Sequence, residues 1–265
     1  MQLNTRDDKA ANLAAAAGFV ERAAAAGARL IALPETWNFK GGTAGILAAG
    51  EDLDGPSTTR LRELAALHNV YVLAGSLYER GERPDRLFNT SVLIGPRGER
   101  LATYRKIHLF DAVSGSVTYR ESDVLQAGHE IVTAEVDGVT LGLSICYDLR
   151  FPELYLQLAL RGARILAVPA AFTAYTGAAH WHVLVRARAI ETGCFVVAPD
   201  QVGFHTATNE CYGHSLVVDP WGRILAEVDE GTGLCVADLD LALVDEVRAA
   251  LPSLSQRRPD AYASV

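Results

Sequence analysis

The sequence lacks an excess of positive charge. Lysine and arginine together number 24 against 32 aspartates and glutamates, which gives a formal net charge of -8 at pH 7. The chain also has no cluster of basic residues of the kind that follows a phosphate backbone. We therefore expect a protein that does not bind nucleic acid.

Long apolar runs are missing as well. No stretch approaches the roughly 18 consecutive apolar residues that a membrane-spanning helix needs. The segment from Met1 to Asp8 has neither the basic nor the apolar region of a signal peptide. These absences predict no association with a membrane and a cytoplasmic location.

Cysteine is scarce and scattered. The four cysteines (Cys146, Cys194, Cys211 and Cys235) are far apart in the sequence, and none forms a CxxC pair. This spacing argues against a zinc ribbon, and the lack of a signal peptide argues against a disulfide framework. A reducing environment is therefore expected.

What the sequence does contain is an alternation of helix and strand patterns along its 265 residues, of which 49% are hydrophobic. No stretch has the composition of a linker, so we predict one α/β domain over residues 1–265, with 252–265 as an extended C-terminal segment that docks on another surface. Predicted helices cover 10–26, 57–68, 152–160, 180–192 and 241–251. Predicted strands include 28–33, 70–79, 88–95, 101–104, 139–145, 195–199, 215–219, 224–228 and 234–240, and residues 111–122 are expected to form a loop.

One stretch combines a buried strand with a thiol. The apolar run from Val139 to Ile145 predicts a strand that ends at Cys146, and Pro152 fits the first turn of a following helix. A strand, tight turn and helix in this order expose a nucleophile and leave backbone N–H groups free for an oxyanion. A small buried core cysteine is the alternative, and this stretch alone does not decide between the two.

Two other charged residues stand in unusual settings. Glu35 follows a short apolar strand and Pro34, at the strand edge where α/β sheets display functional groups, although a solvated loop carboxylate is the simpler interpretation. Lys106 is flanked by apolar and aromatic residues, which predicts partial burial and therefore a charged partner.

The chain also contains an internal echo. Residues 28–34 (ARLIALP) and 163–169 (ARILAVP) share a small residue, an arginine, four apolar residues and a proline, and each follows a predicted helix that ends in glycine. The repetition predicts two related layers of helix and strand around one pseudo-symmetric sandwich.

Three motifs in a fixed order support a family resemblance. They are Leu33-Pro34-Glu35, the stretch from Tyr104 to Asp111 (YRKIHLFD) and the stretch from Ile145 to Leu154 (ICYDLRFPEL). Over nearly its whole length the chain resembles the carbon–nitrogen hydrolases of the nitrilase superfamily, in particular the Nit-type amidases. Residues 179–181, 186–192, 212–222 and 257–262 are similar to the deaminated-glutathione amidases of that branch, whereas the ω-amidases match the first half about equally well and these later stretches less well.

The resemblance implies a four-layer αββα sandwich with mixed sheets. It also implies a homodimer, paired through the helix after the nucleophile and the C-terminal segment, or a higher homo-oligomer. The implied reaction is hydrolysis of a small carboxylic amide through a cysteine thioester, with release of ammonia or an amine. Neither a metal nor an organic cofactor is implied.

The resemblance also implies roles for individual residues. Cys146 is expected to be the nucleophile, and Glu35 the general base and acid that its thiol needs at neutral pH. Lys106 would stabilise the oxyanion together with the backbone N–H of Tyr147. Glu121 matches the family's second glutamate and would fix the Lys106 ammonium.

Two further readings of the function stay open. An ω-amidase, an aliphatic amidase or a nitrilase would use the same residues, because the sequence does not define the substrate pocket. A non-catalytic relative that binds small amides is the third reading, which intact Glu35, Lys106 and Cys146 argue against. The donor for a substrate carboxylate is sought between Ala170 and Trp181.

Some expectations concern residues outside these motifs. His180 and His182 are two positions apart on a predicted helix and face different ways, so no metal site is expected there. His214 is interpreted as a core or dimer contact. The family's usual apolar strand ahead of the first helix is mostly missing before Asn4. Either the true start lies upstream of Met1, or the strand is absent, and the second case predicts a sheet edge with unpaired hydrogen-bonding groups.

Overall fold

The structure, a computed structural model, describes residues 1–261. The helices are α1 (Lys9–Ala25), α2 (Thr43–Ala49), α3 (Pro56–His68), α4 (Pro152–Leu160), α5 (Ala174–Thr192) and α6 (Ala242–Ala250). The strands are β1 (Leu30–Ala32), β2 (Tyr71–Leu73), β3 (Leu77–Arg80), β4 (Leu87–Ile94), β5 (Arg100–Arg105), β6 (Asp111–Ser114), β7 (Val117–Arg120), β8 (Leu125–Gln126), β9 (Thr133–Val136), β10 (Val139–Leu143), β11 (Ile165–Ala167), β12 (Phe195–Ala198), β13 (Val202–Phe204), β14 (Glu210–Tyr212), β15 (Leu216–Val218) and β16 (Ile224–Glu227). None of these helices is long and apolar enough to cross a membrane.

Two six-stranded sheets form the centre of the molecule. In the first sheet the order is β1-β2-β4-β3, with β5 and β8 also paired to β4, and in the second it is β16-β15-β12-β11-β10-β9. Both sheets mix parallel and antiparallel pairs: β1 runs parallel to β2, and β11 runs parallel to β10 and β12. The prediction of mixed sheets is confirmed.

The helices cover the outer faces of these sheets. Helices α1 and α3 pack on the first sheet through a buried cluster that includes Val20 and Leu64. Helices α4 and α5 pack on the second sheet, and buried side chains from both sheets, among them Leu93 and Leu166, share one core. The layer order is therefore helix, sheet, sheet, helix, as the resemblance implied.

The echoed segments occupy equivalent positions in the two sheets. Residues 28–34 contain β1 of the first sheet, and residues 163–169 contain β11 of the second. The chain segments that follow them lie side by side, because the Glu35 N–H donates to the Ala170 carbonyl at 3.2 Å. The residues that follow β1 and β11 are therefore neighbours, and they lie where the two sheets meet.

The single strand predicted over residues 70–79 is wrong. It is two strands, β2 and β3, separated at Gly75, whose φ of +48° lies in the left-handed region. A Cβ at this position would lie 1.9 Å from the Pro34 carbonyl oxygen. Glycine permits both the backbone turn and the close approach of the segment that carries Glu35.

The loop predicted over residues 111–122 is also wrong. Strands β6 and β7 form an antiparallel hairpin there, and Gly115 in its turn has a φ of +62°. The Ser114 and Thr173 hydroxyls are 2.8 Å apart, which ties the hairpin to the start of α5. That helix begins at Ala174, six residues before its predicted start.

The last predicted strand, over residues 234–240, does not form. Gly233, the residue directly before this segment, forms a single bridge to Gln2. The strand with an unpaired edge is β1, because within residues 1–261 it pairs with β2 alone. The Met1 ammonium donates to the Ala32 carbonyl at 3.1 Å, and a cavity of about 420 Å³ separates β1 from residues 234–239.

The C-terminal segment is not uniformly extended. Residues 252–255 form a turn closed by the Ser255 N–H on the Pro252 carbonyl at 3.1 Å, and Pro259–Ala261 forms a short 3₁₀ helix. Leu254 packs against the main core. The remaining residues of the predicted segment, 262–265, lie outside the described residues.

The two glycines Gly75 and Gly138 allow a direct test of close backbone approach. Both have positive φ, at +48° and +77°, but a Cβ at Gly138 would meet nothing within 4 Å. We expect Gly138→Ala to lower the free energy of unfolding by about 1 kcal/mol, the cost of a left-handed alanine. Gly75→Ala is expected to cost at least about 3 kcal/mol, because the Pro34 carbonyl must also move. Urea unfolding of both variants measures the difference, and equal losses would contradict this account.

Candidate active site

Cys146 lies on a strained turn between the second sheet and α4. Its φ of +45° is left-handed, which for a residue with a Cβ costs roughly 1–2 kcal/mol. Its N–H donates to the Pro169 carbonyl at 2.9 Å, and a 3₁₀ turn over Cys146–Arg150 leads into the helix. The predicted order of strand, tight turn and helix is confirmed.

A buried carboxylate holds this turn in place. Asp148 accepts hydrogen bonds from the Ile145 N–H at 2.9 Å and the Tyr104 hydroxyl at 2.6 Å. Its other oxygen lies 3.1 Å from the His108 backbone nitrogen and 2.7 Å from Nδ1 of the same residue. Asp148 is therefore a structural acceptor that fixes the turn.

Arg150 and Glu153, three residues apart, form no ion pair in the described part of the chain. The Arg150 guanidinium instead lies 5.0 Å from the Phe172 ring centroid and 3.3 Å from Nδ1 of His180. It therefore connects the elbow to α5 rather than to the first turn of α4.

Lys106 is buried between two carboxylates. Its side chain is 1% exposed, and Nζ lies 2.9 Å from Oε1 of Glu35 and 2.9 Å from Oε2 of Glu121. Oε2 of Glu121 also accepts the Phe110 N–H at 2.8 Å. The structure thus brings together Glu35 and Lys106 with Glu121, the residue that the sequence assigned with the least support.

Glu35 is fixed by two further donors. Oε1 accepts from the Asn89 amide at 2.8 Å, and Oε2 accepts from the Ala171 N–H at 2.9 Å. An ionised carboxylate oxygen can accept two hydrogen bonds. Oε2 therefore retains capacity for one more donor, and the Cys146 thiol is among the groups that interact electrostatically with this carboxylate and affect its pKa.

The electrostatics keep the charged groups charged. Burial disfavours the Glu35 carboxylate, but the Lys106 and Lys40 ammonium charges outweigh it, so the pKa of Glu35 lies below its ordinary 4.5. Burial likewise disfavours the Lys106 ammonium, yet Glu121 and Glu35 raise its pKa well above 10.5. Both groups are ionised at neutral pH.

Cys146 behaves in the opposite way. Burial and the Glu35 carboxylate raise the pKa of its thiol well above 9.0, against the smaller opposing effect of Lys106. At rest the site holds a neutral thiol beside an ionised carboxylate. Thiol attack therefore requires transfer of the thiol proton, and Glu35 is the adjacent acceptor.

Tyr147 offers a backbone donor beside the thiol. Within residues 1–261 its N–H has no hydrogen-bond partner outside its own turn. Tyr147 directly follows Cys146 at the strained elbow. Its N–H can therefore face the oxygen of a carbonyl group whose carbon is bonded to the Cys146 sulfur.

The sequence interpretation missed three residues of this site. Asn89 donates a hydrogen bond to Glu35, and Lys40 and Asp200 interact with Glu35 electrostatically. Asp200 had a detectable signal, because Val197-Ala198-Pro199-Asp200 repeats the pattern of strand, proline and polar residue seen at Pro34-Glu35.

A second cluster lies apart from the elbow. Oε1 of Glu227 is 2.8 Å from Nε2 of His182 and 2.6 Å from Nδ1 of His214. These three groups could hold a divalent cation, although in the structure they satisfy one another. The sequence spacing suggests His180 as the neighbour of His182. The observed partner of His182 is on β16, whereas His182 is on α5, so spacing along the chain does not indicate this contact.

Asp200 predicts an unusual pH dependence of stability. Burial raises the pKa of its carboxyl well above 3.8, so the folded state holds a proton that the unfolded chain releases. Stability therefore falls as the pH rises from 3.8 toward the folded pKa, by up to about 1.4 kcal/mol per pH unit. Asp200→Asn has no carboxyl to titrate at this position. Between pH 4 and pH 8 we therefore expect the free energy of unfolding of the wild type to fall relative to that of Asp200→Asn. Parallel curves in urea titrations would be incompatible with a buried neutral carboxyl.

Comparisons with known proteins match the part of the chain that contains these motifs. The carbon–nitrogen hydrolase family model matches residues 1–249. A rat protein named deaminated glutathione amidase is 41% identical over 270 residues, which cover 100% of this chain and 83% of the relative.

Solved structures agree with the fold. Yeast Nit3, described as a member of branch 10 of the nitrilase superfamily, is 33% identical with a TM-score of 0.88, and the match covers 97% of this chain and 94% of Nit3. A Nesterenkonia amidase is 28% identical with a TM-score of 0.84, over 99% and 94% of the two chains. In that structure fluoroacetamide has left its acetamide moiety on the active-site cysteine. The resemblance predicted from three motifs is confirmed, and the chain belongs to the carbon–nitrogen hydrolase family within the nitrilase superfamily.

Proposed function

We propose that this protein is an amidase that hydrolyses deaminated glutathione through a thioester on Cys146. The observation that carries the proposal is the buried Lys106 ammonium, held at 2.9 Å by Glu35 and at 2.9 Å by Glu121 beside the strained elbow of Cys146. The substrate follows from the rat relative's name and its identity of 41% over the whole chain.

The first step forms the thioester carbon–sulfur bond. Glu35 takes the thiol proton of Cys146, and the sulfur attacks the amide carbonyl carbon as its π electrons move to oxygen. A thiol with a raised pKa is a poor nucleophile by itself, so proton transfer accompanies attack. The carboxylate is available for this because Lys106 keeps it ionised.

The negative oxygen of the tetrahedral intermediate needs donors that are already oriented. The Lys106 ammonium supplies a charge, and the Tyr147 N–H supplies a fixed dipole. Neither donor must reorganise during the reaction, since Lys106 is 1% exposed and Tyr147 is part of a 3₁₀ turn. Each such donor typically contributes about 10²–10³ in rate.

The remaining steps return the enzyme to its resting state. Glu35 gives its proton to the departing nitrogen as the carbon–nitrogen bond breaks and the thioester forms. Glu35 then takes a proton from water, which attacks the thioester carbonyl. Breaking the carbon–sulfur bond releases the carboxylic acid, and the proton returns to the Cys146 sulfur.

The catalytic roles of Cys146 and Glu35 can be separated by substitution. Cys146→Ala is expected to lower kcat/KM for deaminated glutathione by at least about 10³-fold, because no thioester can form. Glu35→Gln is expected to lower kcat by about 10²–10⁴-fold while Cys146 still reacts with iodoacetamide, because the substitution removes the proton acceptor and leaves the thiol. Release of the keto acid product measures turnover, and mass spectrometry measures alkylation.

Cys194→Ala is the matched control, since Cys194 is another buried cysteine whose thiol lies 3.2 Å from the Ala163 carbonyl, away from the elbow. Full activity is expected. Turnover by Cys146→Ala at the wild-type rate would exclude the thioester mechanism. Preference for α-ketoglutaramate over deaminated glutathione would make the enzyme an ω-amidase with the same chemistry.

Glu121 is proposed as a positioning residue that acts through Lys106. The Glu121 carboxylate is a principal cause of the raised pKa of Lys106. Glu121→Gln should therefore lower that pKa, so the loss of activity at high pH begins at a lower pH than in the wild type. We also expect kcat to fall about 10–100-fold with a smaller change in KM. An unchanged pH profile would assign Glu121 a purely structural role.

A homodimer in the cytoplasm completes the proposal. An apolar cavity of about 290 Å³ lies between α6 and the C-terminal turn, lined in part by Ile190, Trp221 and Leu251. These three side chains are 52%, 51% and 57% exposed and line one cavity together, and a contiguous exposed apolar patch marks an interaction site. Sedimentation equilibrium tests the assembly directly.

A further inference from the structure

Lysine is rare in this chain, and two of its three lysines lie at the proposed active site. Lys9 forms an ion pair with Glu51, and Lys106 is held by Glu35 and Glu121. The third, Lys40, follows Glu35 by five residues on the segment that begins at the end of β1. Its backbone N–H is anchored on the Arg6 carbonyl at 3.0 Å.

Lys40 carries a charge that the protein does not pair with a carboxylate. Its side chain is half-buried, and none of the ion pairs within residues 1–261 includes it. Burial disfavours the ammonium, but Cys211, Tyr78, Glu35 and Cys146 together raise the pKa of Lys40 above its ordinary 10.5. A fixed cation therefore lies within electrostatic reach of the reacting thiol.

Asp200 supplies a second unsatisfied group in the same neighbourhood. Oδ1 accepts the N–H groups of Phe172 and Gln201, each at 2.9 Å, whereas the buried Oδ2 has no partner in the described chain. Its surroundings favour the protonated carboxyl, so the O–H sits on Oδ2 and lacks an acceptor. A buried unpaired donor is costly unless a ligand completes it.

We propose that Lys40 and Asp200 bind the anionic keto-acid end of the acyl group, with the ammonium on the carboxylate and the carboxyl O–H on the keto oxygen. This subsite deepens the proposed amidase function and rests on it. It makes the enzyme selective for monoamides of dicarboxylic acids over neutral aliphatic amides.

The position of the subsite relative to Glu35 supports the proposal. Asp200 and Glu35 both bind the same short segment, through the N–H groups of Phe172 and Ala171 respectively. The backbone of Glu35 also accepts the Gln201 side-chain amide at 2.9 Å. The unsatisfied carboxyl is thus connected by single hydrogen bonds to the segment that touches the proposed catalytic base.

Two other basic groups, Arg105 and Lys106, already have carboxylate partners. The segment expected from the sequence to supply the donor, residues 170–181, contains no lysine or arginine, and its one histidine, His180, lies 3.3 Å from the Arg150 guanidinium. Arg105 is held by Glu79 at 2.6 Å, and Lys106 already has two carboxylate partners. A substrate carboxylate would have to compete with those partners, but not at Lys40.

Matched substrates and two variants of Lys40 test the cation. We compare kcat/KM for glutaramate with that for pentanamide, a neutral amide of the same chain length. Lys40→Met should lower this ratio about 10–100-fold through KM, since a hydrogen bond to a charged group is lost. Lys40→Arg should retain most of the ratio, because the charge remains. Equal losses on both amides, or an unchanged ratio, would overturn the proposal.

The Asp200 half of the subsite has its own readout. Asp200→Ala should reduce the preference for α-ketoglutaramate over glutaramate, because only the former has a keto oxygen. Asp200→Asn should preserve that preference, since its amide N–H can still donate. Loss in both variants, or in neither, would remove Asp200 from the subsite.

A binding measurement separates this proposal from the proposed function. Glutarate should protect Cys146 from iodoacetamide in the wild type and not in Lys40→Met, whatever amide the enzyme turns over. Protection with no hydrolysis of deaminated glutathione would reject the proposed substrate and support the subsite. Hydrolysis of deaminated glutathione with equal protection in both proteins would do the reverse.

Discussion

The site depends on one buried ammonium ion. Taking the Lys106 charge out of water is unfavourable, and only carboxylates held at hydrogen-bond distance make its burial tolerable. Glu35 follows a strand of the first sheet and Glu121 follows the β6–β7 hairpin, so the ion holds together parts of the chain 71 and 15 residues away. The same ion keeps Glu35 ionised beside a neutral thiol. The charge pairing that stabilises the fold there thereby also creates the proton acceptor and the cation that the proposed mechanism needs.

The two sheets meet where three strands end in proline. Pro34, Pro169 and Pro199 each stop a short apolar strand, and the next residues are Glu35, Ala170 and Asp200. Proline cannot donate to a ladder, so each strand ends there and the following residue is free to enter the site. The Glu35 N–H on the Ala170 carbonyl and the pairing of Ala170 with Asp200 join the three ends into one surface. This arrangement explains why the proposed catalytic groups lie at strand ends. It also explains why the sequence around Asp200, taken alone, only weakly indicates that this residue belongs to the site.

Most elements of the fold were predictable because they obey local rules. Helix α1 begins after the Asp8 cap, whose carboxylate accepts the Ala11 N–H at 3.0 Å, and α4 begins at Pro152. The errors have tertiary causes. Residues 70–79 are mostly apolar, and the close approach at Gly75, where a Cβ would lie 1.9 Å from the Pro34 carbonyl oxygen, is a contact between segments far apart in the sequence. Residues 234–240 have a strand pattern, but a cavity separates them from the free edge of β1, so they stay irregular.

The sequence by itself determined the family, the layered fold and the positions of Glu35, Lys106 and Cys146, because short motifs and strand periodicity are local properties. Only the tertiary structure decided which charges are neutralised. Asn89 and Ala171 reach Glu35 across 54 and 136 residues, and no spacing rule connects them. For the same reason the sequence could not distinguish Lys106, which two carboxylates hold, from Lys40, which none does. Pairing depends on distance in space, and distances between residues far apart in the chain exist only after the two sheets have packed together.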